Sequence, residues 1–274
     1  MYVFVVYCFF VCFCVCYASS VNILALPLLV IGGFIGGFFG SAVGSAGLVS
    51  LPILLLLGLS PHAAIGTTRP AAVVLEAISA IRYRREKILT TALLRRGLLL
   101  GIAGALGSII GAILIANVSD QTLRLLLALI ILTMTVFLFM KKGWGLQEHP
   151  DRQRHLLLIA IGTFFTGLYA GLFGFTFGTV ITIVLVGFGY TLLQSAAMGR
   201  VIGAMTSTAS AMIFLWHGYI RYDYAIALSI GFGIGGWMGA RVAVKAGNRY
   251  VKILLMVVVL MSVGKLVWDY VGAL

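Results

Sequence analysis

Three charged residues stand in stretches otherwise suited to lipid: Arg69 and Glu76 in "HAAIGTTRPAAVVLEAISA" (62–80), and Arg200 in "SAAMGRVIGAM" (195–205). A charge at the centre of a membrane span costs about 2.5 to 3.5 kcal/mol on insertion scales, so it faces a cavity or a partner. A long side chain near a membrane face can instead snorkel to water. The forked donors of a guanidinium match the oxygens of a small oxyanion such as sulfite, sulfonate or carboxylate. Glu76 lies two helical turns after Arg69 and on the same helix face. It reads either as half of a structural ion pair or as a carboxylate that carries a coupling proton.

Arg69 and Arg200 occupy matched places in an internal repeat. "GLSPHAAIGTTR" (58–69) aligns with "GYTLLQSAAMGR" (189–200), pairing Gly58 with Gly189. Upstream, "GGFIGGFFGSAVGSAG" (32–47) resembles "GTFFTGLYAGLFGFTFG" (162–178), with Gly33, Gly37, Gly40 and Gly44 opposite Gly167, Gly171, Gly174 and Gly178 at one constant offset. Glycines four apart let helices pack closely. They also break helices, and the segments Gly37 to Gly47 and Gly171 to Gly178 are read as such breaks. A half-helix N-terminus inside a membrane presents free N–H groups and a partial positive charge to an anion. Interrupted apolar segments at matching places in two halves point to a transporter site. Ser41, Ser45, Thr176 and Thr179 would add hydroxyl donors there, and Thr67 and Thr68 directly precede Arg69.

The elements that must position these residues follow from composition. Of 274 residues, 62% are hydrophobic and 9% charged, and mean hydropathy is +1.14, whereas soluble domains carry roughly 25% charged residues. Apolar runs of about 18 residues or more recur, which in lipid means helices. The chain therefore reads as an all-α polytopic membrane protein. Each half has a Gly-rich apolar pair (23–58; 155–190) followed by three spans: 62–82, 92–116 and 121–140, then 192–215, 223–245 and 250–271. The organisation is an apolar leader (1–21), a first repeat (22–140), a linker (141–154) and a second repeat (155–274).

The basic loops exchange places between the halves. "RYRREK" with Arg95 and Arg96 lies between the first two spans after the pair in half one; in half two, Arg241, Lys245, Arg249 and Lys252 crowd the next loop instead. Basic loops stay cytoplasmic, so the exchange predicts two inverted-topology repeats, each a Gly-rich broken or re-entrant helical hairpin plus three transmembrane helices. A single crossing by the Gly-rich pair would make the halves parallel. The inverted arrangement puts 82–96, 141–154 and 241–252 in the cytoplasm and both mature termini outside.

Net charge is +12, but the cations sit in loops, which argues for topology rather than nucleic acid. All four cysteines (Cys8, Cys12, Cys14, Cys16) lie in the leader, read as a signal peptide cut after Ala18 or as an extra helix. No Cys/His ligand spacing, metalloprotease motif or phosphate loop is present, so no enzyme, metal or cofactor is expected. His62 and His217 flank spans and are read as interfacial.

"GGFFGSAVGSAGLVSLPILLLLGLSPHAAIGTTR", the following "SAIRYRREKI", and "GLYAGLFGFTFG" with "SAAMGR" resemble the TauE/SafE family of membrane proteins, the sulfite exporters. The family's Gly-rich opening and its later Ala-x-x-Thr stretch fall here on Gly37, Gly40, Gly44, Gly47 and Pro52, then Ala64, Thr67, Thr68 and Arg69. The resemblance implies export of sulfite or small organosulfur anions such as sulfoacetate across the plasma membrane, coupled to a proton or sodium gradient. The chain departs from the family's glycine triplet, with Gly44-Ser45-Ala46-Gly47 and Gly178-Thr179-Val180, and Val186 stands near the expected second proline. The expected function is a secondary transporter working by alternating access; the rival is a passive anion pore, which needs the same lining but no coupling carboxylate. The expected anion site comprises Arg69, Arg200, Gly40, Ser41, Gly44, Ser45, Thr67, Thr68, Gly174, Thr176, Gly178 and Thr179, with Glu76 as the proton-coupling candidate. Oligomeric state is not readable from the sequence.

Overall fold

A computed structural model of the protein describes residues 25–115, 155–174 and 176–271. The leader, the linker and the 121–140 span lie outside the described residues. Those described form eight helices and no strand: α1 Ala25–Val43, α2 Gly47–Leu56, α3 Pro61–Arg85, α4 Thr91–Ile115, α5 Leu156–Leu172, α6 Phe177–Gly187, α7 Leu192–Trp216 and α8 Tyr222–Val271. Five of them (α1, α3, α4, α7 and α8 over Tyr222–Val251) are long and apolar enough to cross a membrane. Large apolar side chains such as Ile31, Leu99 and Phe165 are exposed on the outside, while Ser, Thr, Arg and Glu side chains are buried within. That is the distribution expected of a helical membrane protein with lipid around it.

Local sequence explains the boundaries. Ser60 caps α3, accepting from the Ala63 N–H at 3.3 Å, with Pro61 at its first position, where the missing N–H costs nothing. Thr191 caps α7 in a reciprocal box with Gln194, satisfying two orphan donors. The last turn of α3 carries Arg82, Arg84 and Arg85, which suit the negative end of its dipole. α8 is interrupted at Gly247, whose φ of 74° is non-helical, as the division between the expected 223–245 and 250–271 spans required.

The Gly-rich pairs are helical hairpins. α2 folds back along α1, with Ile53 filling the space beside Gly32 and Ala46 that beside Gly36 and Gly40; α6 folds back along α5, with Val184 beside Gly162. Across the halves, α1 packs on α8 and α5 on α4. Gly33 meets Leu228 and Gly231 while Gly37 meets Phe232 and Gly236; Gly107 meets Phe164 and Leu168 while Gly111 meets Leu168 and Gly171. Both pairs thus run parallel. In each, absent side chains let backbones touch. α3 packs on α7 the other way round, with Thr67 beside Arg221 and Glu76 beside Arg200.

The breaks are tighter than the sequence suggested. α1 continues to Val43 and α5 to Leu172, so that among the described residues of the two breaks Gly44, Ser45 and Ala46, and Phe173, Gly174 and Thr176, lie outside helices. Gly44 and Gly174 have φ of 81° and 70°, a left-handed conformation that glycine adopts without strain. The structural register through the hairpins therefore pairs Gly44 with Gly174, one helical turn from the expected match with Gly178.

Candidate functional site

Both arginines run inward from the antiparallel pair α3 and α7, and each donates to the end of a broken helix in the opposite half. Arg69 Nη2 donates to the Ala170 carbonyl at 2.6 Å, and Arg200 Nη1 donates to the Gly40 carbonyl at 3.0 Å. Ala170 and Gly40 each lie four residues before the left-handed glycine that ends their helix. The Gly40 carbonyl also accepts from the Gly44 N–H at 2.6 Å, and a cation at a helix C-terminus meets the negative end of the helix dipole. The same interaction is thus made twice, once in each direction.

The two guanidinium groups differ in their further partners. Arg200, fully buried, reaches Glu76, with Nη1 3.0 Å from Oε1 and from Oε2 and in hydrogen-bonding geometry with Oε1. Its Nε also donates to Ala196 O at 3.3 Å. Arg69 is 2% exposed, with its guanidinium carbon 5.7 Å from the centre of the Phe214 ring. The ion pair that is one of the two readings of Glu76 is present, and its partner is Arg200 on the facing helix, not Arg69 on the same helix face. Both α3 charges do line one cavity. On these three side chains, the buried atoms Arg69 Nε, Arg200 Nη2 and Glu76 Oε2 make no hydrogen bond.

That cavity, of about 30 Å³, is bounded by Arg69, Glu76 and Thr68 on α3 and by Arg200 and Ser207 on α7. The first hairpin contributes Gly44, Ala46, Gly47 and Ser50, and the second Gly174, Phe177 and Gly178. The N-terminal ends of α2 and α6 therefore border the same space as the two cations. Two guanidinium groups and one carboxylate leave it one net positive charge. A Cβ on Gly174 would overlap the Arg69 guanidinium, and one on Gly178 would overlap Arg200 Nη2; these glycines make room for the arginines.

The expected hydroxyls divide. Thr68 lines the cavity while its hydroxyl donates to Ile65 O at 2.7 Å. Thr179 Oγ1 donates to Val43 O at 2.7 Å and so ties one helix break to the other. Thr67 lies away from the cavity, its hydroxyl accepting from the Arg221 N–H at 3.0 Å. Ser41 donates to Phe38 O at 3.0 Å, Thr176 pairs with the Tyr169 hydroxyl, and Ser45 is buried with no hydrogen-bond partner; none of the three borders the cavity. Gly40, expected at the site, takes part through its carbonyl; the Ala170 carbonyl, and Ser207 as a wall, were not among the expected residues. Ser207 had a signal, since the repeat sets it opposite Glu76.

Helices fit to span a bilayer, packed around a buried, charged cavity, define a multi-pass membrane protein with an interior polar site. Residues 29–266 match the family model described as Sulfite exporter TauE/SafE, and the chain belongs to that family of membrane transporters. It is 25% identical over 251 residues to a "Probable membrane transporter protein" of Haemophilus influenzae, covering 91% of this chain and 97% of the relative. It is 23% identical over 227 residues to the "Probable membrane transporter protein YfcA" of Escherichia coli K12, covering 82% and 83%. A third relative, the "Probable membrane transporter protein ORF9" of Sinorhizobium sp, is 23% identical over 236 residues, covering 85% and 88%. No solved structure matches the chain.

Proposed function

We propose that the protein is a secondary transporter that carries sulfite or a small organosulfur anion across the plasma membrane by alternating access, coupled to an ion gradient, with Arg69 and Arg200 as the anion's ligands. One observation carries this reading: both arginines and the N-terminal ends of both short helices converge on a single buried cavity. Unpartnered Arg69 Nε and Arg200 Nη2 are the donors left for a ligand, and oxyanions are what forked guanidinium donors and helix N-termini hold.

An inverted repeat with re-entrant hairpins is part of the proposal, and the helix directions support it. If α1 enters from one side, α2 returns toward that side, α3 crosses and α4 crosses back. α5, parallel to α4, then starts from the opposite side to α1. This arrangement requires one further crossing between α4 and α5, where the sequence offers 121–140. The small size of the cavity, about 30 Å³, favours a carrier over a passive pore, since a pore needs a continuous lined path.

Proteoliposomes taking up labelled sulfite test the reading. The carrier predicts saturable flux that responds to an imposed proton or sodium gradient. Flux that neither saturates nor responds would contradict it and support the pore.

A further inference from the structure

We propose that Glu76 matches the site to the valence of its anion: a monoanion binds with the carboxylate ionised, and a dianion binds only together with one proton on Glu76. This rests on the proposed anion site and names its coupling ion.

Among the described residues, Arg69, Glu76 and Arg200 are the only ionisable side chains bordering the cavity; α1, α2, α4, α5, α6 and α8 bring none to it. Nearby Tyr83 donates its hydroxyl to Ser41 O, and the Tyr169 hydroxyl is engaged with Thr176. His62 and His217 lie beside Tyr219 at the far end of α3 and α7. Two guanidinium groups against one carboxylate leave a single uncompensated positive charge, and a buried net charge is costly. A monoanion cancels it. A dianion overshoots by one and sets two like-charged groups in one small cavity, the situation in which a carboxylate takes up a proton.

The proton has a place to go. Both carboxylate oxygens lie 3.0 Å from Arg200 Nη1, but only Oε1 accepts its hydrogen bond, so Oε2 is the oxygen whose hydrogen-bonding capacity is unused. The new O–H bond forms on Oε2 with a proton drawn from water on whichever side the cavity opens, and it is released with the anion on the other. Sodium does not fit the same role. A cation in this space would face two guanidinium groups.

The coupling is reciprocal: if the dianion favours the proton, the proton favours the dianion by the same factor. Sulfite changes valence near neutral pH and so confuses the readout. Methanesulfonate, the anion of a strong acid, and sulfate, fully ionised at neutral pH, keep fixed charges across the neutral range and serve as monoanion and dianion probes. Titrate each calorimetrically into the purified full chain in detergent, in buffers of different ionisation enthalpy, which counts protons taken up.

The expected result is one proton per sulfate and none per methanesulfonate, with sulfate affinity rising toward about tenfold per unit fall in pH, the limit for one linked proton. E76Q should bind sulfate with an affinity that no longer follows pH, which separates Glu76 from His62 and His217. If E76Q does not fold, the proton count on the wild-type chain decides alone. Equal proton counts for the two anions, proton release, or rejection of sulfate at every pH would overturn the inference while leaving the anion site standing. Failure of both anions to bind would overturn the anion site itself, and the inference with it.

Discussion

Arg200 and Glu76, 124 residues apart in the chain, meet at 3.0 Å in the interior, joining the two helices that carry the arginines. Both are buried, at 0% and 6% exposure. Removing one partner leaves the other as an uncompensated buried charge, which costs about 3 to 5 kcal/mol, whereas replacing both with apolar groups of similar volume is often neutral. E76A or R200M should therefore lower the melting temperature in detergent sharply, and E76L/R200M should recover most of the loss. A double variant as unstable as the sum of the singles would show that the pair contributes no coupling.

That pair also marks the limit of what the sequence discloses. Among the described residues, helix positions, the division of α8 and the burial of Arg69 and Arg200 were legible because each is written in local signals: apolar length, glycine spacing, caps and charge. The partner of Glu76 was not, since spacing along one helix points to Arg69, and only the packing of α3 on α7 brings Arg200 across. The repeat register through the hairpins slipped by one turn for a related reason. Glycines four apart recur so regularly in 32–47 and 162–178 that a shift of four costs few matches, while the left-handed conformation that fixes the register is visible only in the backbone.

Gly44 and Gly58 separate two roles of the same conformation. Both have positive φ, 81° and 85°, but a Cβ at Gly58 meets nothing, while one at Gly44 would run into the backbone of Gly178 and Thr179. G58A should cost only the left-handed strain, about 1 to 2 kcal/mol, and retain flux in proteoliposomes. G44A forces the two helix breaks apart and should abolish flux. Equal flux in both variants would show that contact between the breaks is dispensable.

Thr67 and Thr68 are adjacent but unlike. T67V removes the acceptor for the Arg221 N–H at the α7 to α8 turn and should cost about 1 kcal/mol of stability with anion affinity unchanged. T68V alters a wall of the cavity and should change affinity more than melting temperature. Thermal unfolding and calorimetry on both variants check the pattern, and the opposite pattern would return Thr67 to the site.

The central claim is that Arg69 and Arg200 hold an oxyanion between the two helix breaks. The most direct measurement is calorimetric titration of sulfite into wild type, R69Q and R200Q, each first shown to be folded. A charge-assisted hydrogen bond contributes about 1.5 to 3 kcal/mol, so each variant should bind about 10 to 100 times more weakly. Wild-type affinity in both folded variants would contradict the account.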